Sequence, residues 1–184
     1  MREKLKKRKR LYQEMIKTKR NNVKLEYIVF GIYLFFLVWL VLFKFSISFD
    51  SIIQNRGINL IPFSTSEESS IRIVVREMIY NVFVFIPFGL YISIICDKWS
   101  FWKKVLLPFG LSLIFEVIQY IFALGISDIT DLINNTSGAV LGIGLFSLLC
   151  VLFRRKTVTV INVLMLIFEV CFGGLFLVHA LANL

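Results

Sequence analysis

Apolar and polar positions alternate along this chain in long blocks rather than at short period. Uncharged or nearly uncharged apolar runs cover residues 27–43, 78–96, 105–125, 132–153 and 157–182, and charged or glycine-bearing breaks separate them. About 20 apolar residues in helical form cross a hydrocarbon core of about 30 Å, so each run is a candidate transmembrane helix. Open strands would leave peptide groups unsatisfied in lipid, and the runs lack the two-residue alternation of a barrel wall. The pattern predicts an all-α, polytopic membrane protein with five transmembrane helices. The first run is not a cleaved signal: its basic prefix is long, its apolar stretch exceeds a typical signal core, and no small-residue cleavage motif precedes Lys44.

Lys and Arg set the orientation. Eleven of the 21 basic residues precede Leu25; the turn at 97–104 carries Lys98, Lys103 and Lys104, and the break after the fourth run carries Arg154, Arg155 and Lys156. The remaining four lie between Lys44 and Met78, where four acids balance them. The positive-inside bias then puts the N-terminus in the cytoplasm and the C-terminus outside. The expected organisation is a basic cytoplasmic tail over 1–26, a transmembrane domain over 27–153 and a C-terminal transmembrane helix over 154–184. In the tail, Leu5, Tyr12, Ile16 and Val23 recur at helical spacing among the bases. This fits an interfacial helix on the inner leaflet; a solvated tail that only sets topology is the competing reading.

Composition agrees with lipid as the solvent. Of 184 residues, 58% are hydrophobic and 18% charged, there are 19 Phe, and mean hydropathy is +0.79. A net charge of +9 raises the question of nucleic acid. Its concentration beside the first run instead suits anionic lipid at the cytoplasmic face, and no nucleic-acid partner is expected. Cys96, Cys150 and Cys171 form no Cys-x-x-Cys pair, and His179 is the one histidine, so no metal site and no cofactor are expected.

Polar groups at membrane depth are costly and mark function by default. Glu116 and Gln119 share a face of the third run at i, i+3. Asp128, Asp131 and Asn135 share one at the head of the fourth, and Arg76, Glu77 and Asn81 stand with Arg72 at the head of the second. All three sets belong to the outer half and can converge on one polar pocket. The apolar loop motif around Asn59, Pro62 and Phe63 would dip into the interface or close over it. The plainer reading is that Glu116 and Gln119 glue helices, Asp128 and Asp131 cap the fourth helix, and Arg76 anchors the interface. Each proline lies in an Ile/Leu-Pro-Phe triplet, and Pro87 with Gly89 and Pro108 with Gly110 predict kinks where helices two and three cross closely.

Taken in order, Asn59-Leu60-Ile61-Pro62-Phe63, Arg76-Glu77 with Asn81-Val82, Phe85-Ile86-Pro87-Phe88-Gly89, Glu116 with Gln119, and Asp128-Ile129-Thr130-Asp131 through Gly138 resemble the VanZ-like family of bacterial integral membrane proteins. The resemblance covers about residues 59–145. Two positions depart from the family pattern: Thr130 stands where a further aspartate is usual, and Gly125-Ile126-Ser127 lacks an arginine before the acids. A three-acid metal site is therefore not carried over. The resemblance implies a multi-pass protein of the bacterial cell membrane and reduced susceptibility to teicoplanin-type lipoglycopeptides. An outer pocket would bind or redistribute membrane lipid, with the lipoglycopeptide or a lipid-linked wall precursor as other candidate partners. No nucleophile-and-base set, P-loop or metal spacing is present, which leans away from an enzyme. Two alternatives stay open: an intramembrane enzyme acting on a lipid headgroup or undecaprenyl-linked precursor, with Glu116 or Asp128 as base, and a helical scaffold for another membrane protein.

Overall fold

A computed structural model describes residues 23–43, 55–63 and 71–182. The basic tail ahead of Val23, with its interfacial-helix reading, lies outside the described residues. The elements in chain order are helix α1 (Val23–Phe43), strand β1 (Asn55–Asn59), α2 (Ile71–Ile95), α3 (Phe101–Phe122), β2 (Leu124–Asp128), α4 (Ile129–Phe153), a 3-10 turn (Arg154–Lys156) and α5 (Thr157–Ala182). Four stretches are long and apolar enough to cross a membrane: Leu25–Leu42, Val75–Ile95, Phe101–Phe122 and the 46 residues Ile129–Gly174. The fourth contains both α4 and most of α5, and the described residues thus give four candidate spans where the apolar runs predict five. The chain is essentially all-α, with one addition that the runs do not predict: β1 and β2 pair in parallel, Asn55 opposite Leu124 through Asn59 opposite Asp128.

The chain divides into two compact units. In the first, Phe35–Gly144, the core is aromatic and aliphatic: Leu37, Leu40, Phe85, Phe88, Tyr91 and Phe115 are buried, and Phe85 meets Phe115 edge to face at 6.5 Å. Large apolar side chains on the opposite helix faces, Phe83, Trp102, Leu106 and Phe122 among them, are more than 60% exposed, as lipid-facing residues are. Turns are made locally. Ser100 sits in extended conformation ahead of α3, and Lys104 N–H donates to its carbonyl. At the far end of α3, Ala123 turns left-handed (φ 54°) and its N–H reaches the carbonyls of Gln119 and Tyr120.

Helices α2 and α3 are in contact, as expected, but the glycines of the two Pro-Phe-Gly triplets do not make that contact. Gly89 does follow a proline inside α2, but it packs on α4, not α3: a Cβ there would lie 2.0 Å from the Ala139 carbonyl oxygen. Cβ atoms at Gly138 and Gly142 would lie 2.1 Å from the carbonyl oxygens of Val82 and Ile86. Gly110, beside Pro108 in α3, has nothing within 4 Å of a Cβ. The reason is spacing: Gly138 and Gly142 are one turn apart on one face of α4, and this small-xxx-small stripe lets two backbones touch. Val82 meets Gly138 and Ile86 meets Gly142, so α2 and α4 run in the same direction.

The second unit, residues 1–34 with Leu145–Leu184, has Val29, Tyr33, Phe146, Cys150, Ile161 and Met165 buried. Arg154 adopts φ 50° and ends α4. Thr157 Oγ1 donates to the carbonyls of Leu149 (3.2 Å) and Arg154 (2.7 Å), satisfying groups that the helix end leaves open. The three cysteines are free thiols. Burial pushes the Cys96 thiol at the α2–α3 turn above its ordinary value, against the pull of nearby Lys104, as befits a packing residue.

Candidate functional site

The eight polar residues singled out above, all in the Phe35–Gly144 unit, separate into two groups. Arg76, Glu77, Asn81 and Asp131 line a cleft of about 420 Å³, together with Leu40, Val41 and Tyr80. Its walls come from the C-terminal end of α1, the second and third turns of α2 and the first turn of α4. The residues from α2 lie at i, i+1, i+4 and i+5, which puts Arg76 one turn nearer the head of α2 than Tyr80, and Glu77 one turn nearer than Asn81, on adjacent stripes. Asn81 Nδ2 donates to Asp131 Oδ1 across the α2–α4 pair, orienting both side chains. Arg76 and Glu77 are exposed, and Leu40 is buried at the apolar wall. The lining therefore carries one formal positive and two negative charges beside an apolar surface.

Glu116, Gln119, Asp128 and Asn135 do something else. Glu116 is buried, and its Oε2 accepts the backbone N–H of Asp128 at 2.8 Å. Asp128 in turn accepts from Asn59 Nδ2 (3.0 Å) and from the N–H of Thr130 (2.7 Å), capping the head of α4. The loop motif closes the same network. Ile61 N–H donates to Asn59 Oδ1 at 3.2 Å, and Phe63, at φ 58°, donates its N–H to Thr130 Oγ1 at 3.0 Å. Gln119 Nε2 donates to the Val41 carbonyl at 2.9 Å, near the end of α1 where carbonyls lack helical partners. Asn135 Nδ2 donates to Ser112 Oγ at 2.9 Å between α4 and α3, both side chains fully buried. Asn59, Pro62 and Phe63 stand outside the cleft lining, and Leu60, Ile61 and Phe63 keep their apolar side chains exposed.

Two residues of this region carry no sequence argument of their own. Tyr80 was legible in principle, one turn on from Arg76. Ser112 was not, since a small hydroxyl at the edge of an apolar run has no distinctive pattern; Thr130 stands out as a departure from the family pattern, not as a hydrogen-bond partner of the loop. Among the described residues no group of three His, Cys, Asp or Glu side chains is arranged to hold a metal ion.

A family model described as VanZ/LLP1 matches residues 30–151. The chain belongs to the VanZ/LLP1 family. Protein VanZ of Enterococcus faecium is 43% identical over 120 residues, 64% of this chain and 71% of that protein. No solved structure matches. The VanZ/LLP1 match takes in the cleft, both strands and the polar network, so both groups of residues fall within the part that defines the family. The basic tail and the whole of α5 lie outside it.

Proposed function

We propose that this VanZ-like protein resides in the bacterial cell membrane as a multi-pass protein and lowers susceptibility to teicoplanin-type lipoglycopeptides, through the cleft between α1, α2 and α4, which binds or redistributes lipid of the outer leaflet. The observation that carries this reading is the cleft lining: an arginine, two carboxylates, a tyrosine and an asparagine facing an apolar wall, in a protein whose outer helix faces are apolar. Such a hollow takes amphiphiles, because the ligand's polar head and its tail each meet a matching surface.

The chain crosses the membrane five times, N-terminus inside and C-terminus outside. The 46-residue apolar stretch would be about 69 Å as straight helix, over twice the hydrocarbon thickness. Its interruption by the three cations Arg154, Arg155 and Lys156 supports a cytoplasmic turn at this point. In this orientation α2 and α4 both descend from outside and the cleft at their heads opens to the outer leaflet. An enzymatic reading with Glu116 or Asp128 as general base has less support, because both carboxylates accept backbone or amide hydrogens in the strand network and neither lines the cleft.

The test is the minimum inhibitory concentration of teicoplanin and vancomycin for a susceptible Gram-positive host producing the wild type, Arg76→Gln or Glu77→Gln at matched membrane levels. The expected result is a rise selective for teicoplanin that both substitutions remove. No rise with the wild type, or one that neither substitution alters, overturns the proposal.

A further inference from the structure

The cleft does not end at its own rim. A second, more open groove of about 490 Å³ adjoins it on α2, lined by Arg72, Val75, Arg76, Ile79 and Tyr80. Arg76 and Tyr80 belong to both hollows. Positions 72, 76 and 79/80 follow one another at helical spacing, so the groove tracks the side of α2 for about 12 Å. Passing from the cleft into the groove, the lining changes from carboxylates (Glu77, Asp131) through a guanidinium (Arg76) to aliphatic surface (Val75, Ile79), with a second guanidinium, Arg72, at the end of the groove nearest the start of α2.

We infer that the occupant is a phospholipid whose headgroup ends in a primary ammonium, phosphatidylethanolamine being the simplest. Its ammonium sits with Glu77 and Asp131, its phosphate at Arg76, and an acyl chain along Val75 and Ile79. This rests on the lipid-binding reading above and names the class of lipid. The order along the path (anion, cation, apolar surface) is complementary to the order along such a lipid (cation, anion, hydrocarbon), and Arg72 adds a second donor for the phosphate side. Arg76 at the junction offers the forked donor set that suits a phosphate. An anionic headgroup without an amine, such as phosphatidylglycerol, would bring no cation to the two carboxylates and would set its own charge against them. A quaternary choline matches the charge, yet offers the carboxylates no N–H.

The full-length protein in detergent micelles tests this with an acyl-chain-labelled fluorescent phosphatidylethanolamine as probe. Unlabelled phosphatidylethanolamine, phosphatidylcholine, phosphatidylglycerol and free phosphoethanolamine compete for the site. Phosphatidylethanolamine is expected to displace the probe at concentrations about 10-fold below the other two lipids, in line with one charge-assisted hydrogen bond. Phosphoethanolamine, lacking chains, should need far more. Glu77→Gln and Asp131→Asn should bring phosphatidylethanolamine to the level of phosphatidylcholine, and Arg76→Gln should weaken both by about 10-fold. Glu77 is exposed and helix-compatible with Gln, so its variant keeps the test sound if Asp131→Asn fails to fold. Phosphatidylglycerol competing as well as phosphatidylethanolamine, or selectivity unchanged in Glu77→Gln, overturns the ammonium assignment and leaves the lipid reading standing. Absence of saturable probe binding removes both.

Discussion

The same pair of helices is built in opposite ways at two levels about 10 Å apart. At Gly138 and Gly142, α4 lies against the carbonyls of Val82 and Ile86 with no room for a methyl group. From directly beside Val82 to about two turns nearer their heads, the pair presents Asn81, Glu77, Arg76 and Asp131 around an open cleft. The difference shows what holds charged groups in place within an apolar protein. In lipid no hydrophobic force drives helix to helix, so backbone-to-backbone packing supplies the rigidity, and side chains above it are left to face a ligand. Exposed arginine and glutamate add little stability by themselves. They converge because the glycine contact below fixes the register of the two helices.

Filling the seam should have the largest effect. Gly142→Val or Gly138→Val is expected to cost about 3 kcal/mol or more, since the new Cβ meets carbonyl backbone that cannot rotate away. The readout is loss of a monodisperse peak and a fall in melting temperature in detergent, with probe binding lost together with the fold. Gly144→Ala, where nothing lies within 4 Å, is the matched control and should be neutral or stabilise by up to about 1 kcal/mol. A Gly142→Val protein that melts like the wild type would break the comparison at its base.

The strand network should come next. Removing the carboxylate in Glu116→Ala leaves the Asp128 N–H without this acceptor, and Asp128→Ala removes the cap of α4 and the bond from Asn59; each is expected to cost about 2–3 kcal/mol. Melting temperature should fall in both, while lipid affinity per folded molecule stays within about twofold of the wild type, well below the 1.4 kcal/mol that a tenfold change represents. The cleft variants should behave the other way, losing lipid selectivity with little change in melting. If Asp128→Ala at matched folded levels abolishes lipid binding, the network belongs to the binding site and the division between the two groups fails.

Much of this was legible from the apolar runs, and the exceptions have physical causes. The run from Thr157 to about Ala182 corresponds to α5. By contrast, α2 starts at Ile71 rather than 78, and α3 at Phe101 rather than 105. Arg72, Arg76 and Lys103 break a hydropathy run but not a helix, because long basic side chains reach outward from a helical backbone, and Lys104 is instead buried in the first turn of α3. The strands escaped notice because NRGIN and LGISD are short, glycine-bearing and free of alternation, and their pairing joins segments 69 residues apart in the case of Asn59 and Asp128. The glycine seam was visible as Gly138-Ala139-Val140-Leu141-Gly142, but the repeated Pro-Phe-Gly triplets point instead to α2 against α3. Of the eight polar positions, the residue types and the helix faces they share were readable and division of labour was not. Whether a carboxylate faces a cleft or a peptide N–H depends on which helix head stands opposite it, and one chain's sequence does not contain that.

The smallest expected effect concerns the link between the two levels. A single residue, Ala123, joins α3 to β2, and it holds φ 54° and ψ 37° while its N–H bonds two carbonyls of the last α3 turn. An L-residue with a side chain is strained there by about 1 kcal/mol, a strain that glycine lacks. Glycine also has more freedom to lose on folding, so Ala123→Gly should raise stability by only about 0.5 kcal/mol. Differential melting in detergent reads it, and lipid selectivity should not move. A fall in melting temperature would mean that the extra unfolded-state entropy outweighs the relieved strain. The stiffness of alanine would then be part of what delivers Asp128, five residues on, to Glu116 and Asn59.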